Sequence, residues 1–389
     1  MAREPESQIA GAAYFMTNEP TGNFIVSSAI GRDGKVTVKA AISAGGVGLR
    51  IIKTLTPTDP LFSQGSVTVA GNSLYVVNPG SNTVAAFDID RNDPTKLQPV
   101  GKPVDSGGEF PISVAVSQKR GLICVLNAGR INGVNCYKRN GPRGLIPAPN
   151  TQRLFHLNQT TPPVIQPGPN GFSHVIFDES ETQLIVSVRN VDGTPLGFLA
   201  VWDINVNTGA LSPNFRQIAI NGAPTPFGLA VLPGKNAIIA TDPLGSGYDI
   251  FDLNAGPRNR SGIFSVPGQA ALCWSVYNPK SGNVFLVDSI LSVITEVKVD
   301  EKLRSSIVKQ YPLAVGSDAA LDASIATVNG NEFLYVLVGG TQAINVLSVP
   351  SPGNASVIQE LLFADAVANL GVTQDLAYLQ GMAIFLTDA

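Results

Sequence analysis

Side chains able to move protons at neutral pH are few here: two histidines, His156 and His174, among 389 residues. No HExxH, GxSxG or phosphate-cradling glycine loop occurs, so the usual signatures of metalloproteases, serine hydrolases and nucleotide enzymes are missing. Ser306 and Lys309 have the spacing of a serine–lysine pair but fall where an outer strand is expected. What recurs instead is a large ring beside a polar group. The segments read Phe62-Ser63-Gln64, Phe110-Pro111, Phe172-Ser173-His174, Pro226-Phe227, Cys273-Trp274-Ser275 and Tyr378-Leu379-Gln380. That combination suits an apolar pocket in which a few hydrogen-bonding groups orient a ligand. It suits equally a row of rings wedged between neighbouring sheets.

Individual roles stay open at this level. His174 is a proton-transfer group or a satisfied structural histidine. Arg189 meets a ligand oxygen or a surface carboxylate. A second recurring set, Asn18, Asn78, Asn127, Asn190, Asp242 and Asp288, either closes hairpins by bonding its own backbone or aims oxygens at a hard cation. Two acids are few for calcium, so no metal and no cofactor is expected. Cys124 and Cys136 flank one hairpin, close enough across neighbouring strands for a disulfide in an oxidising compartment, which leaves Cys273 as a free buried thiol.

The elements that must position these groups repeat along the chain. The runs SVTVAGNSLYVVN (66–78), SVAVSQKRGLICVLN (113–127), HVIFDESETQLIVSVRN (174–190), GLAVLPGKNAIIATD (228–242), WSVYNPKSGNVFLVD (274–288) and SIATVNGNEFLYVLVGG (324–340) share one pattern. Each is a strand, a turn, and a β-branched strand ending in a small or polar residue. Successive markers at 18, 78, 127, 190, 242, 288 and 339 lie 60, 49, 63, 52, 46 and 51 residues apart. A period near 50 with about four strands per unit predicts an all-β, seven-bladed β-propeller. AAYFMTN at the start matches only the second half of the unit, and GMAIFL (381–386) only the first. The C-terminal strand is therefore expected to close the ring by joining the N-terminal blade. Residues 1–10 form a tail and 11–389 a single propeller domain.

Composition agrees. Charged residues make up only 14% of the chain, while Gly 39 and Pro 28 punctuate it, which excludes a disordered chain and a charged helical solenoid. A net charge of −3 offers no basic surface for nucleic acid. No apolar span near twenty residues is present, so no membrane partner is expected. Residues 1–10 lack an apolar h-region, and compartment stays undetermined.

The stretches QGSVTVAGNSLYVVNPGSNTVAAFDID, GGEFPISVAVSQKRGLICVLNAGRINGVNCYKRNGPRGL, LNQTTPP and FGLAVLPGKNAIIATD resemble fungal proteins of the 3-carboxymuconate-cyclase-like family. These are seven-bladed propellers related to the 6-phosphogluconolactonase type. Bacterial relatives open one inner strand with a GPRH-type segment, whereas this chain reads Gly168-Pro169-Asn170-Gly171-Phe172-Ser173-His174. Fungal hetero-Diels–Alderases, which join a tropolone quinone methide to a humulene-type terpene, are similar to the same propellers. The resemblance thus implies a cofactor-independent cyclase of secondary metabolism, acting by positioning and hydrogen-bond polarisation on an apolar small molecule. Phe62, Phe110, Phe172, Phe227, Trp274, Ser275 and Tyr378 would hold the substrate, and Gln64, His174, Arg189 and Gln380 would orient it. The alternatives are lactone-forming or lactone-hydrolysing chemistry and a non-catalytic secreted binding propeller. Oligomeric state is not readable.

Overall fold

The computed structural model describes residues 9–52, 58–164, 171–189, 196–245, 247–254, 260–314 and 316–387. Seven antiparallel sheets stand around one axis. Their innermost strands are Val67–Ala70, Pro111–Ser117, Gly171–Phe177, Leu229–Leu232, Leu272–Tyr277, Ala320–Val328 and Gln380–Leu386. They define blades 1 to 7 in that order, and each packs on the next around the ring. Blade 7 joins the two ends of the chain. Gln380–Leu386 pairs antiparallel with Gly11–Met16, with Ala13 opposite Ile384, and Phe24–Ile30 and Val36–Ser43 follow outward. Closure removes the two edges that an open array of blades would expose.

Strand chemistry follows position in the blade. The second strands, such as Ser73–Asn78, Leu122–Asn127, Ala237–Asp242 and Asn283–Asp288, are buried along their whole length. Each lies between two neighbouring blades, so both faces need apolar side chains and the sequence runs without polar alternation. Outermost strands such as Val36–Ser43 and Ser305–Pro312 mix buried, half-buried and exposed positions. Ser306 and Lys309 lie on this last strand, and Lys309 Nζ donates to the Gly353 carbonyl 3.0 Å away.

Blades 1 and 2 depart from the four-strand repeat. The expected fourth strand of blade 1 is divided into Leu97–Pro99 and Val104–Asp105. Gly101 separates them with φ +70, its Cα so near the Arg143 carbonyl that a Cβ there would approach it to 2.5 Å. Only glycine meets both conditions. No helix among the described residues is long and apolar enough to cross a membrane.

Cys124 and Cys136 face each other in register on adjacent strands of blade 2 and are joined as a disulfide, while Cys273 is a free, buried thiol. The bond closes a loop with a sequence separation of 12, for which chain entropy gives about 3 kcal/mol of stabilisation. Thiol titration of the denatured, unreduced protein should therefore count one cysteine. The Cys124→Ala/Cys136→Ala protein should lose about 3 kcal/mol in chemical denaturation; three titrating thiols would count against the bond.

Candidate functional site

The connection between the last strand of blade 7 and the first of blade 1 does not stay on the surface. It turns inward and crosses the propeller axis at Ser63-Gln64-Gly65. Ser63 Oγ donates to the Ile112 carbonyl in blade 2 at 2.9 Å. The Gln64 backbone N–H donates to the Ser173 carbonyl in blade 3 at 3.0 Å. The Gln64 amide pairs with the Ser275 backbone in blade 5, Nε2 donating at 2.9 Å and Oε1 accepting at 3.3 Å. Gly65 N–H donates to Asp322 Oδ2 in blade 6 at 3.3 Å. The Ser63 carbonyl accepts from Trp274 Nε1 at 3.1 Å and from Gln380 Nε2 of blade 7 at 2.7 Å. Gln64, Ser275, Trp274 and Gln380, expected as ligand-facing groups, thus spend hydrogen bonds on this strap.

The strap also changes the role of the rings. Phe110, Phe172, Phe227 and Trp274 are wholly buried, and instead of walling an opening they pack. Phe227 meets Trp274 edge-on at 5.8 Å and Phe62 at 5.6 Å, and Phe172 lies 4.7 Å from Phe155. Phe62 belongs to the strap itself and is half-buried. Tyr378 stands apart, half-buried with Arg50 over its ring at 5.7 Å. The physical reason is steric: with the axis filled by backbone, the space the rings were expected to enclose is taken.

Beside this cluster lie two buried ionisable groups, Arg189 and Asp59. The Arg189 guanidinium sits 4.9 Å from the Phe62 ring centre and 5.7 Å from that of Phe227. Its Nη2 donates to the Phe172 carbonyl at 3.1 Å, while Nε and Nη1 have no partner among the described residues. Burial pulls its pKa down to about 10, so it remains a cation near neutrality. Burial likewise pushes Asp59 up to about 7, opposed by the Phe62 N–H and by the charge of Arg189. The Cys273 thiol is driven upward by the same burial.

Past the strap, the axis widens into a chamber of about 230 Å³ whose lining includes Gln64, Gly65, His174, Asp322, Ser324 and Met382. His174 Nδ1 accepts a hydrogen bond from the Leu229 backbone N–H at 3.0 Å. Burial lowers its pKa to about 3, so the ring is neutral and Nε2 carries the hydrogen. A Cβ on Gly65 would lie 2.9 Å from that nitrogen, which keeps the strap side of the imidazole clear only for glycine. Asp322 accepts from the Ala323 N–H at 2.9 Å as well as from Gly65, and burial pushes it up to about 7. A neutral N–H donor and a carboxyl group that titrates near neutrality therefore line one small cavity. That pairing can perform acid–base chemistry. Asp322 was absent from the sequence-based set. Its signal was an acid inside AALDASIATV, an otherwise uncharged inner strand.

The strand-end ring serves loops. Asn78 donates to the Ala44 carbonyl, Asn127 bonds Ser106, and Asp242 accepts from Gly245 N–H and Thr225. Asp288 accepts from the N–H groups of Ala270, Ala271, Ile290 and Leu291. Asn18 bonds Leu49 through both of its side-chain ends. Asn190 and Gly168 to Asn170 lie outside the described residues, and His156 is exposed on a surface segment.

Two measurements follow from this burial. Trp274→Ala should cost about 3–5 kcal/mol of stability, because a filled, hydrogen-bonded site is emptied; a loss under 1 kcal/mol in chemical denaturation would show the ring is not core. Between about pH 4 and 7, Asp59 and Asp322 hold protons in the folded state that the unfolded chain releases, so their contribution to stability should fall as pH rises through that window, against an opposing gain from His174, which the unfolded chain protonates below about pH 6.5 and the folded chain only below about 3. The Asp59→Asn/Asp322→Asn protein should lack that fall in its melting-temperature profile over the same range.

No protein-family model matches the sequence, and no curated protein matches it. Solved structures do match. A protein of Bacteroides fragilis assigned as a 6-phosphogluconolactonase aligns over 98% of this chain and 100% of its own, with TM-score 0.63 and 13% identity. The periplasmic gluconolactonase of Pseudomonas aeruginosa aligns over 97% and 99%, with TM-score 0.64 and 14% identity. A Bacteroides uniformis protein, also assigned as a 6-phosphogluconolactonase, aligns over 95% and 99%, with TM-score 0.65 and 13% identity. At such identities the likeness shows the fold: this chain is a seven-bladed β-propeller built like theirs.

Proposed function

We propose that the chain is a lactone-converting enzyme whose reaction takes place in the axial chamber, with Asp322 as general base and His174 as oxyanion donor. The observation that carries this reading is the presence of both groups on one 230 Å³ cavity. In hydrolysis, a water oxygen bonds to the lactone carbonyl carbon while its proton passes to the Asp322 carboxylate. The His174 Nε2–H donates a hydrogen bond to the carbonyl oxygen, where negative charge collects. Collapse breaks the ring C–O bond, and Asp322 returns its proton to the departing alkoxide. Lactone formation is the same path reversed. The likeness of fold to proteins named as gluconolactonases adds support of an associational kind.

The hetero-Diels–Alder reading has one specific support, the two uncommitted N–H nitrogens of Arg189 facing the Phe62 and Phe227 rings. Such a cation would polarise a quinone-methide oxygen. The packed state of Phe110, Phe172, Phe227 and Trp274 leaves no room in their midst for two large reactants, and the chamber is small and polar. Lactone chemistry is therefore favoured over the cyclase.

With a simple lactone, kcat/KM should rise with pH through about 7 and then level off, since the base acts as a carboxylate. Asp322→Asn should lower it ~10²–10⁴-fold and abolish that titration. His174→Ala should slow turnover ~10²–10³-fold. Full turnover in Asp322→Asn, or a cycloadduct from a hydroxymethyl-tropolone precursor and a humulene-type alkene without lactone turnover, would overturn the assignment. Stable folding with neither activity would favour a binding protein.

A further inference from the structure

The innermost strands of blades 6 and 7 line two cavities in succession. Asp322 to Ser324 and Met382 to Ile384 face the axial chamber. The continuations of both strands line a larger groove of about 500 Å³, whose walls include Ser324, Ile325, Val328, Glu332, Ile384 and Leu386. Ser324 and Ile384 belong to both linings, so the cavities adjoin. At a strand rise of ~3.3 Å per residue, Asp322 to Val328 spans roughly 20 Å. Its wall exposes polar and apolar surface in nearly equal measure, the apolar part including Ile325, Val328, Ile384 and Leu386.

It holds one unsatisfied polar group. Glu332 is 4% exposed, and its Oε2 accepts from Asn278 Nδ2 at 2.8 Å. Its Oε1 has no hydrogen-bond partner among the described residues. Buried carboxylate oxygens are ordinarily paired, because an unmet one forfeits hydration without return. Neither chamber chemistry nor blade packing uses this oxygen.

We infer that the groove holds the apolar chain of an amphipathic substrate whose lactone head occupies the chamber, with Glu332 Oε1 accepting a hydrogen bond from a hydroxyl or ammonium group on that chain. This assignment of substrate class rests on the lactone reading of the chamber. The chain covers Ile325, Val328, Ile384 and Leu386, and the donor on it selects against a plain alkyl tail, because only a donor satisfies the buried carboxylate.

The test uses the whole protein and three γ-lactones, carrying a methyl, a decyl or a terminally hydroxylated decyl substituent. Decylamine, which has no lactone, serves as a separate binding probe in calorimetry. The hydroxylated lactone should exceed the methyl lactone by at least ten-fold in kcat/KM, chiefly through KM. Thr327→Trp, a change at an exposed wall position of the groove, should abolish that preference and leave methyl-lactone turnover unchanged. Glu332→Gln, which keeps the shape, should reduce the preference for the hydroxylated over the plain decyl chain. Equal kcat/KM for all three lactones, with no decylamine binding, overturns the groove assignment while the chamber reading stands. No lactone turnover, with decylamine binding that Thr327→Trp abolishes, overturns the chamber reading and supports the groove as the seat of an apolar chain bearing a donor.

Discussion

Three residues, Ser63-Gln64-Gly65, hold the centre of this propeller. A ring of seven inner strands leaves backbone groups facing the axis, and each one buried away from water needs a partner. The strap supplies partners in blades 2, 3, 5, 6 and 7 from one short stretch of chain. The Ser63 carbonyl alone ties Trp274 to Gln380, using both of its lone pairs. Among the described residues the main contacts between inner strands run between neighbouring blades, so this crossing couples sheets on opposite sides of the ring. It also divides the axis into a packed, ring-filled part and an open chamber.

The electrostatics of the site follow from the same crossing. His174, Asp322, Asp59 and Arg189 all have pKa values moved toward their neutral forms, and in each case burial is the leading cause. For His174 and Asp322 the outcome is useful: one stays a neutral donor and the other titrates near neutrality. Gly65 makes this possible. Its φ of +79 and the closeness of His174 Nε2 exclude any side chain, so the strap passes without covering the imidazole. Arg189 and Asp59 use the opposite side of the strap, where they sit against Phe62 rather than in the chamber.

Much of the architecture was legible in the linear pattern, because blade geometry imposes a period. The second strand of each blade is covered on both faces and so reads as an unbroken β-branched run. The half-units at the two ends of the chain carried the ring closure. The facing of Cys124 and Cys136 was legible too, since a short hairpin sets its own register. The irregular spacings of 60 and 63 residues held a further signal: the first covers the chain that makes the strap, and the second covers the segment that brings Phe155 against Phe172.

Taken alone, then, the sequence determined the repeat, the strand order, the closing pair and the residue types available near the axis. Those depend on local periodicity and on neighbours a few residues apart. Only the tertiary structure decided which axial groups are free to act. Gln64, Ser275, Trp274 and Gln380 have the same chemistry whether they face a ligand or a strap, and the partner that occupies them comes from up to 317 residues away. Asp322 became a candidate only when His174, 148 positions earlier in the sequence, was placed on the same cavity. Burial and convergence are properties of the closed ring, and no local pattern encodes them.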